Sequence, residues 1–159
     1  MLINELEKKI KYKFLDVNLL EEALIHSSKS IENFKNIKKN YERLEFLGDR
    51  VLGLILAEYF FYTYPQANEG TLNGYFQNYA NKVTLAEYAK KIKLSNFIIY
   101  QKGDNLKDNI SMLSDVIESI IGAMYLDSNL DNCKRFIINE IMNHAVTYDK
   151  PIKHPKSIL

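Results

Sequence analysis

Two groups of acids stand where apolar residues would be expected. Glu42, Glu45 and Asp49 are three and four residues apart, so they share one side of a single helix, with Leu44, Phe46, Leu47 and Gly48 among the residues between them. Asp115 and Glu118 are the only acids in the run from Ile110 to Leu126, where Met112, Leu113, Val116, Ile117, Ile120 and Ile121 surround them. Two readings are open. The acids can be the solvent faces of two amphipathic helices, or they can be two strips that face each other. A solvent face normally interleaves lysine, as Glu5 to Lys9 does, and stacked like charges destabilise a helix. If the strips do converge, their carboxylates cannot all remain ionised without a cation. An oxygen-only donor set suits Mg²⁺ or Mn²⁺ better than zinc, for which the sequence has no Cys/His cluster. The matching chemistry is phosphodiester hydrolysis, in which a bound metal activates water and neutralises charge on the leaving oxygen.

The elements that must position these acids are helical. Apolar residues at 2, 3, 6 and 10 predict a first helix over Leu2 to Tyr12, and Asp16 is placed to cap a second from Val17 to His26. Ser27 to Asn40 has no clean period and reads as a connecting loop. Tyr41 to Tyr64 is helix-forming throughout and stops at Pro65, and its nearly continuous apolar character after Asp49 marks a central helix. Further helices are expected over Glu69 to Asn81, from a capping box at Thr84-Leu85-Ala86-Glu87 to about Ile92, over Ile110 to Leu126, and over Asp131 to Thr147. Gln101 to Asn109 reads as a loop.

Composition agrees with this. The 159 residues, 47% apolar and 26% charged, suit one domain with a real core, and six Gly with three Pro are too few for a sandwich of many short strands. The expected fold is therefore all-α. The longest apolar stretch, Val51 to Phe61, is interrupted by Glu58 and is too short to span a bilayer. The single cysteine, Cys133, can form no internal disulfide, and no secretory leader opens the chain, so the expected compartment is the reducing cytoplasm. A net charge of +1 offers no bulk attraction to polyanions, so any nucleic-acid binding must come from placed lysines. After Asp149 the prolines 151 and 155 among Lys150, Lys153 and Lys156 read as a linker, with a further module expected beyond it.

The stretch Glu42-Arg43-Leu44-Glu45-Phe46-Leu47-Gly48-Asp49-Arg50-Val51-Leu52 closely resembles the signature of the ribonuclease III family of double-stranded-RNA endonucleases. Asp115 to Asp127 resembles that family's second acidic helix, and Leu20 to Ser28 its early segment. Glu69-Gly70 and Thr84 to Glu87 follow in family order, so the resemblance covers about residues 1–148 as an endonuclease domain. The final residues, 154–159, resemble the start of a double-stranded-RNA-binding domain, with 149–159 as the linker into it. The resemblance implies a dimerising helical fold in which Glu45, Asp49, Asp115 and Glu118 are the metal-binding catalytic carboxylates, supported by Glu42 and Glu69. It implies Mg²⁺, replaceable by Mn²⁺, as the cofactor and double-stranded RNA as the substrate. Each strand would be cut by one site of a homodimer, leaving 5′-phosphate and 3′-hydroxyl ends with a short 3′ overhang, in rRNA or mRNA processing. Phe46 would be a dimer anchor, with ordinary core as the alternative.

The chain departs from the family pattern at two places. Arg50 stands where a small residue is common, beside Asp49, and can touch RNA phosphate or extend to solvent. Around Gly74-Tyr75-Phe76 an aromatic-amide run replaces residues that help bind RNA. Lys82, Lys102 and Lys107 are candidate contacts to the RNA backbone. His26, His144 and Cys133 are expected to be packing residues. Two other functions share parts of this pattern: an all-α nucleotide pyrophosphohydrolase, and an RNA-binding relative that keeps the fold without the reaction.

Overall fold

A computed structural model of the chain describes residues 2–29, 31–32, 38–101, 103 and 106–147. Lys102 and the expected linker at 149–159 lie outside the described residues. The helices are α1 (Leu2–Ile10), α2 (Val17–Ala23), α3 (Glu42–Thr63), α4 (Glu69–Ala80), α5 (Lys82–Lys91), α6 (Ile110–Asp127), α7 (Leu130–Arg135) and α8 (Asn143–Thr147). The fold is all-α, as expected. Inside the segment read as loop, two-residue strands β1 (Ile31–Glu32) and β2 (Lys38–Lys39) pair antiparallel.

α6 is the centre of the molecule, and α3, α5 and α2 pack around it. Nearly every side of α6 is buried between Met112 and Met124, which explains a helix so rich in isoleucine. Its start is capped by Asn109, whose side chain accepts from the Met112 N–H at 2.8 Å. Near its end Asp127 accepts from Tyr12 Oη at 2.6 Å and from the N–H groups of Leu15 and Asp16 at 2.9 and 2.8 Å, fixing the turn between α1 and α2 against it. Ser119 Oγ donates to Ala23 O at 2.7 Å and ties α2 to the same helix.

Three local expectations are corrected. α1 stops at Ile10 because Lys11 adopts a left-handed conformation (φ 58°). The cap of α5 is Asn81 rather than a box at Thr84: the Asn81 side chain accepts from the Thr84 N–H at 2.8 Å, and the Thr84 hydroxyl donates back to Asn78 O at 3.0 Å. Finally, the helix expected from Asp131 to Thr147 contains a π-helical stretch, Phe136–Met142, between α7 and α8. Among the described residues no helix is long and apolar enough to cross a membrane.

Candidate metal centre

Glycine lets α3 and α6 cross closely enough for their acids to meet. A Cβ on Gly48 would overlap the carbonyl oxygen of Glu118, and one on Gly122 would overlap that of Leu44. With hydrogen at both positions the two backbones touch, and the first turns of α3 lie directly against the middle of α6. The start of α3 is held by Asn40, whose side chain accepts from the Glu42 N–H at 2.8 Å, and by the Tyr41 N–H, which donates to Ile25 O at 2.8 Å.

At this crossing Glu45, Asp115 and Glu118 each bring a carboxylate oxygen into a cluster whose atoms lie within 4.8 Å of one another. All three are partly buried. Glu45 lies against Asp115, and Glu118 against Asp49, so each carboxyl feels the other. Burial, and then the neighbouring acids Asp49, Glu45 and Asp115, push the Glu118 carboxyl up to about 9. Burial followed by Asp115 pushes Glu45 up to about 7, and the positive charge of Lys82 opposes that rise. Burial and mutual repulsion thus favour the protonated form of these carboxyls over the ionised one. Carboxylate oxygens in this number, crowded and short of counter-charge, fit a hard divalent cation such as Mg²⁺ or Mn²⁺.

The remaining expected residues fall into three places. Asp49 borders the cluster through Glu118, while its exposed side lies 3.5 Å from the Arg50 guanidinium. Glu42 is exposed and lines a groove with Leu19, Glu22, Leu47 and Leu126, although its charge still reaches Glu45. Glu69 does not join the cluster within one chain: it starts α4 beside Phe60 and Phe61, roughly 20 Å further along α3 from Glu45.

Phe46 is not core. Its side chain is 62% exposed, with the Arg50 guanidinium stacked 4.0 Å over the ring and donating to Phe46 O at 3.2 Å. Leu54 and Phe61 are exposed on the same side of α3, so a helix expected to be buried all round keeps one apolar stripe open. Tyr75 belongs to the core and is 1% exposed, whereas Lys107 lines a separate groove with Lys90 and Lys93. Cys133 is buried, its thiol pushed up to about 12 by burial. His26 bonds Ser28 at 2.9 Å, and His144 is buried in the core.

Two residues at the site carry no signal in the sequence. Tyr41 donates from its hydroxyl to Asp115 at 3.4 Å, and burial together with Asp115 holds its phenol well above the ordinary tyrosine range. Ser111 stands one turn before Asp115 and accepts from Lys82 Nζ at 3.1 Å. Both contacts join segments far apart in the chain, so no local spacing announces them.

The family model described as Ribonuclease-III-like matches residues 16–145. The chain belongs to this family. This ribonuclease-III-like chain is 42% identical over 142 residues to ribonuclease 3 of Pelagibacter ubique, covering 88% of the chain and 61% of that relative. It is 36% identical to ribonuclease 3 of Wolbachia pipientis subsp. Culex pipiens, covering 100% of the chain and 70% of the relative. The chain thus spans about 61% of the length of the first of these. A solved nuclease domain of ribonuclease III from Campylobacter jejuni, with structural flexibility in a region involved in its dimer formation, superposes with a TM-score of 0.80 at 35% identity. That match covers 89% of the ribonuclease-III-like chain and 96% of the solved one.

Proposed function

We propose that residues 1–148 form a metal-dependent endoribonuclease domain that hydrolyses the phosphodiester bonds of double-stranded RNA. The observation that carries this reading is the convergence of Glu45, Asp115 and Glu118 at the glycine crossing, with Asp49 beside Glu118. Family membership supports the substrate class. Glu45, Asp115 and Glu118 would hold Mg²⁺, or Mn²⁺ in its place, with Asp49 completing the set. A metal bound there supplies an activated water and neutralises charge on the phosphate. The chain's own part is to gather the oxygens before substrate arrives, so that little reorganisation is left for the reaction itself. Hydrolysis would leave a 5′-phosphate on one fragment and a 3′-hydroxyl on the other.

The exposed stripe of Phe46, Leu54 and Phe61 supports a homodimer with Phe46 as an anchor, because an apolar face on a central helix is costly to leave in water. Two sites in one dimer would cut the two strands at a fixed stagger, giving the short 3′ overhang. Duplex RNA would be selected by its A-form shape and 2′-hydroxyls, in rRNA or mRNA processing in the cytoplasm. Arg50, Lys82 and Lys107 are the described cations offered to its phosphates.

The test is to incubate the protein with labelled duplex RNA, single-stranded RNA and nucleoside triphosphates, in Mg²⁺ and in EDTA. Only duplex RNA should be cut, and only with metal. Glu118→Ala should lower the rate by about 10²- to 10³-fold while the protein still sediments as a dimer. Near wild-type cleavage by that variant would remove the metal assignment, and hydrolysis of triphosphates in place of duplex would replace the substrate.

A further inference from the structure

The corner between α4 and α5 is fixed more firmly than a simple turn requires. Asn81 donates from its amide to Gln77 O at 2.8 Å and to Asn78 O at 3.1 Å, while its side-chain oxygen accepts from the Thr84 N–H at 2.8 Å. The Thr84 hydroxyl adds a bond to Asn78 O at 3.0 Å. The residue locked into the first position of α5 by these bonds is Lys82. Its long side chain does not trail into solvent. The ammonium donates to Ser111 Oγ at 3.1 Å, across 29 residues of sequence. Ser111 lies four residues before Asp115, hence on the same face of α6 and one turn from the cluster. The charge of Lys82 is felt at Glu45, on the opposite wall.

Among the described residues this cation closes no ion pair with the cluster: Lys82 is exposed, and its ammonium donates to a neutral hydroxyl. An ammonium has three N–H donors, and one bond to a serine leaves two for another acceptor. We infer that Lys82, aimed by Ser111, is a catalytic residue that grips a non-bridging oxygen of the scissile phosphate beside the carboxylate cluster. This rests on the proposed hydrolysis and gives Lys82 one specific task in it. As the water oxygen bonds to phosphorus and the bond from phosphorus to the 3′-oxygen breaks, negative charge builds on the non-bridging oxygens. The ammonium meets that charge without giving up its proton. The departing 3′-oxygen takes its proton from solvent, and the nucleophilic water loses one to solvent. Such a contact strengthens as charge develops, so it acts on turnover more than on RNA binding.

The test uses Lys82→Met, which keeps most of the apolar stem, with Lys82→Arg and Ser111→Ala beside it. Cleavage of duplex RNA in Mg²⁺ is measured as kcat and KM, and Mn²⁺ binding is measured on each protein without RNA. Lys82→Met should lower kcat by about 10²-fold with little change in KM. Lys82→Arg should recover part of the loss, and Ser111→Ala should show a smaller loss than Lys82→Met. Mn²⁺ should bind Lys82→Met at least as tightly as wild type, because a like charge has left the neighbourhood of the ion. A kcat within twofold of wild type would overturn the assignment, as would a fall in kcat matched by weaker Mn²⁺ binding, which would make Lys82 only a support for the carboxylates. These results presuppose an active wild type. A wild type that leaves duplex RNA intact would instead overturn the proposed hydrolysis, and the assignment of Lys82 with it.

Discussion

In its first turns α3 brings Glu45 and Asp49 to Asp115 and Glu118 of α6, whereas near its end it inserts Phe60 among the rings of Tyr64, Tyr75 and Tyr79, with centroids 6.3, 5.6 and 5.8 Å away. Both regions are crowded, but the crowding acts in opposite directions. The aromatic end is complete, since stacked and tilted rings gain dispersion and lose water together. The acidic end gathers like groups whose ionisation each opposes, and it needs a counter-charge from outside. One helix thus anchors the domain at one end and holds an unbalanced site at the other. The stability of the first end is what allows the second to be unfavourable by itself.

The sharpest way to break this comparison is to mutate each end and ask whether metal matters. Phe60→Ala should cost about 3–5 kcal/mol in denaturant unfolding, by the same amount with and without Mg²⁺. A cost that changes with Mg²⁺ would mean that the two ends are not independent. Gly48→Ala attacks the crossing itself, because its new Cβ meets the rigid Glu118 carbonyl rather than a side chain that can swing away. Its cost should be about 1–3 kcal/mol, with the helices pushed apart. Mn²⁺ affinity should then fall well beyond what the stability loss explains. Retained affinity would show that close helix contact does not set the cluster.

How much of this was legible in the sequence follows from the same contrast. The acids were readable because Glu45, Asp115 and Glu118 violate the apolar pattern around them, and a violation is visible without coordinates. Helix existence was readable from period, but the ends were decided by single local contests. Asn81 won the cap of α5 because its side chain faces the Thr84 N–H while Thr84 turns its hydroxyl back to α4. Phe46 was expected from the resemblance as a dimer anchor with ordinary core as the alternative, and its exposure removes the core reading. Glu69 fell in the right order along the chain, yet order along the chain says nothing of distance, and it lies beside Phe61. Tyr41 and Ser111 were silent because their contacts are long-range, and Lys82 was readable as a candidate RNA contact but not as the partner of Ser111.

The smallest effect tests whether the acidic end is unfavourable without a metal. Glu118 has its carboxyl raised from an ordinary 4.5 to about 9. At pH 4 it is mostly protonated in both folded and unfolded chains, so it contributes little to the pH dependence there. As pH rises past 4.5 the unfolded chain releases this proton and the folded chain retains it, so folding loses stability progressively until pH reaches about 9. Glu45, raised to about 7, adds a smaller loss of the same sign over the lower part of that window. Glu118→Gln is neutral throughout. In EDTA it should match wild type near pH 4 and exceed it by about 1–2 kcal/mol at pH 8, once solvent screening of a partly exposed carboxyl is allowed for. With Mg²⁺ the order should reverse, because binding to the folded wild type adds about 2.7 kcal/mol at a hundred times Kd, and the variant forfeits most of that. Equal stability of the two proteins at pH 8 in EDTA would mean that the carboxylates are comfortable alone. The contrast between the two ends of α3 would then lose its physical basis, even if a metal ion still bound at the acidic end.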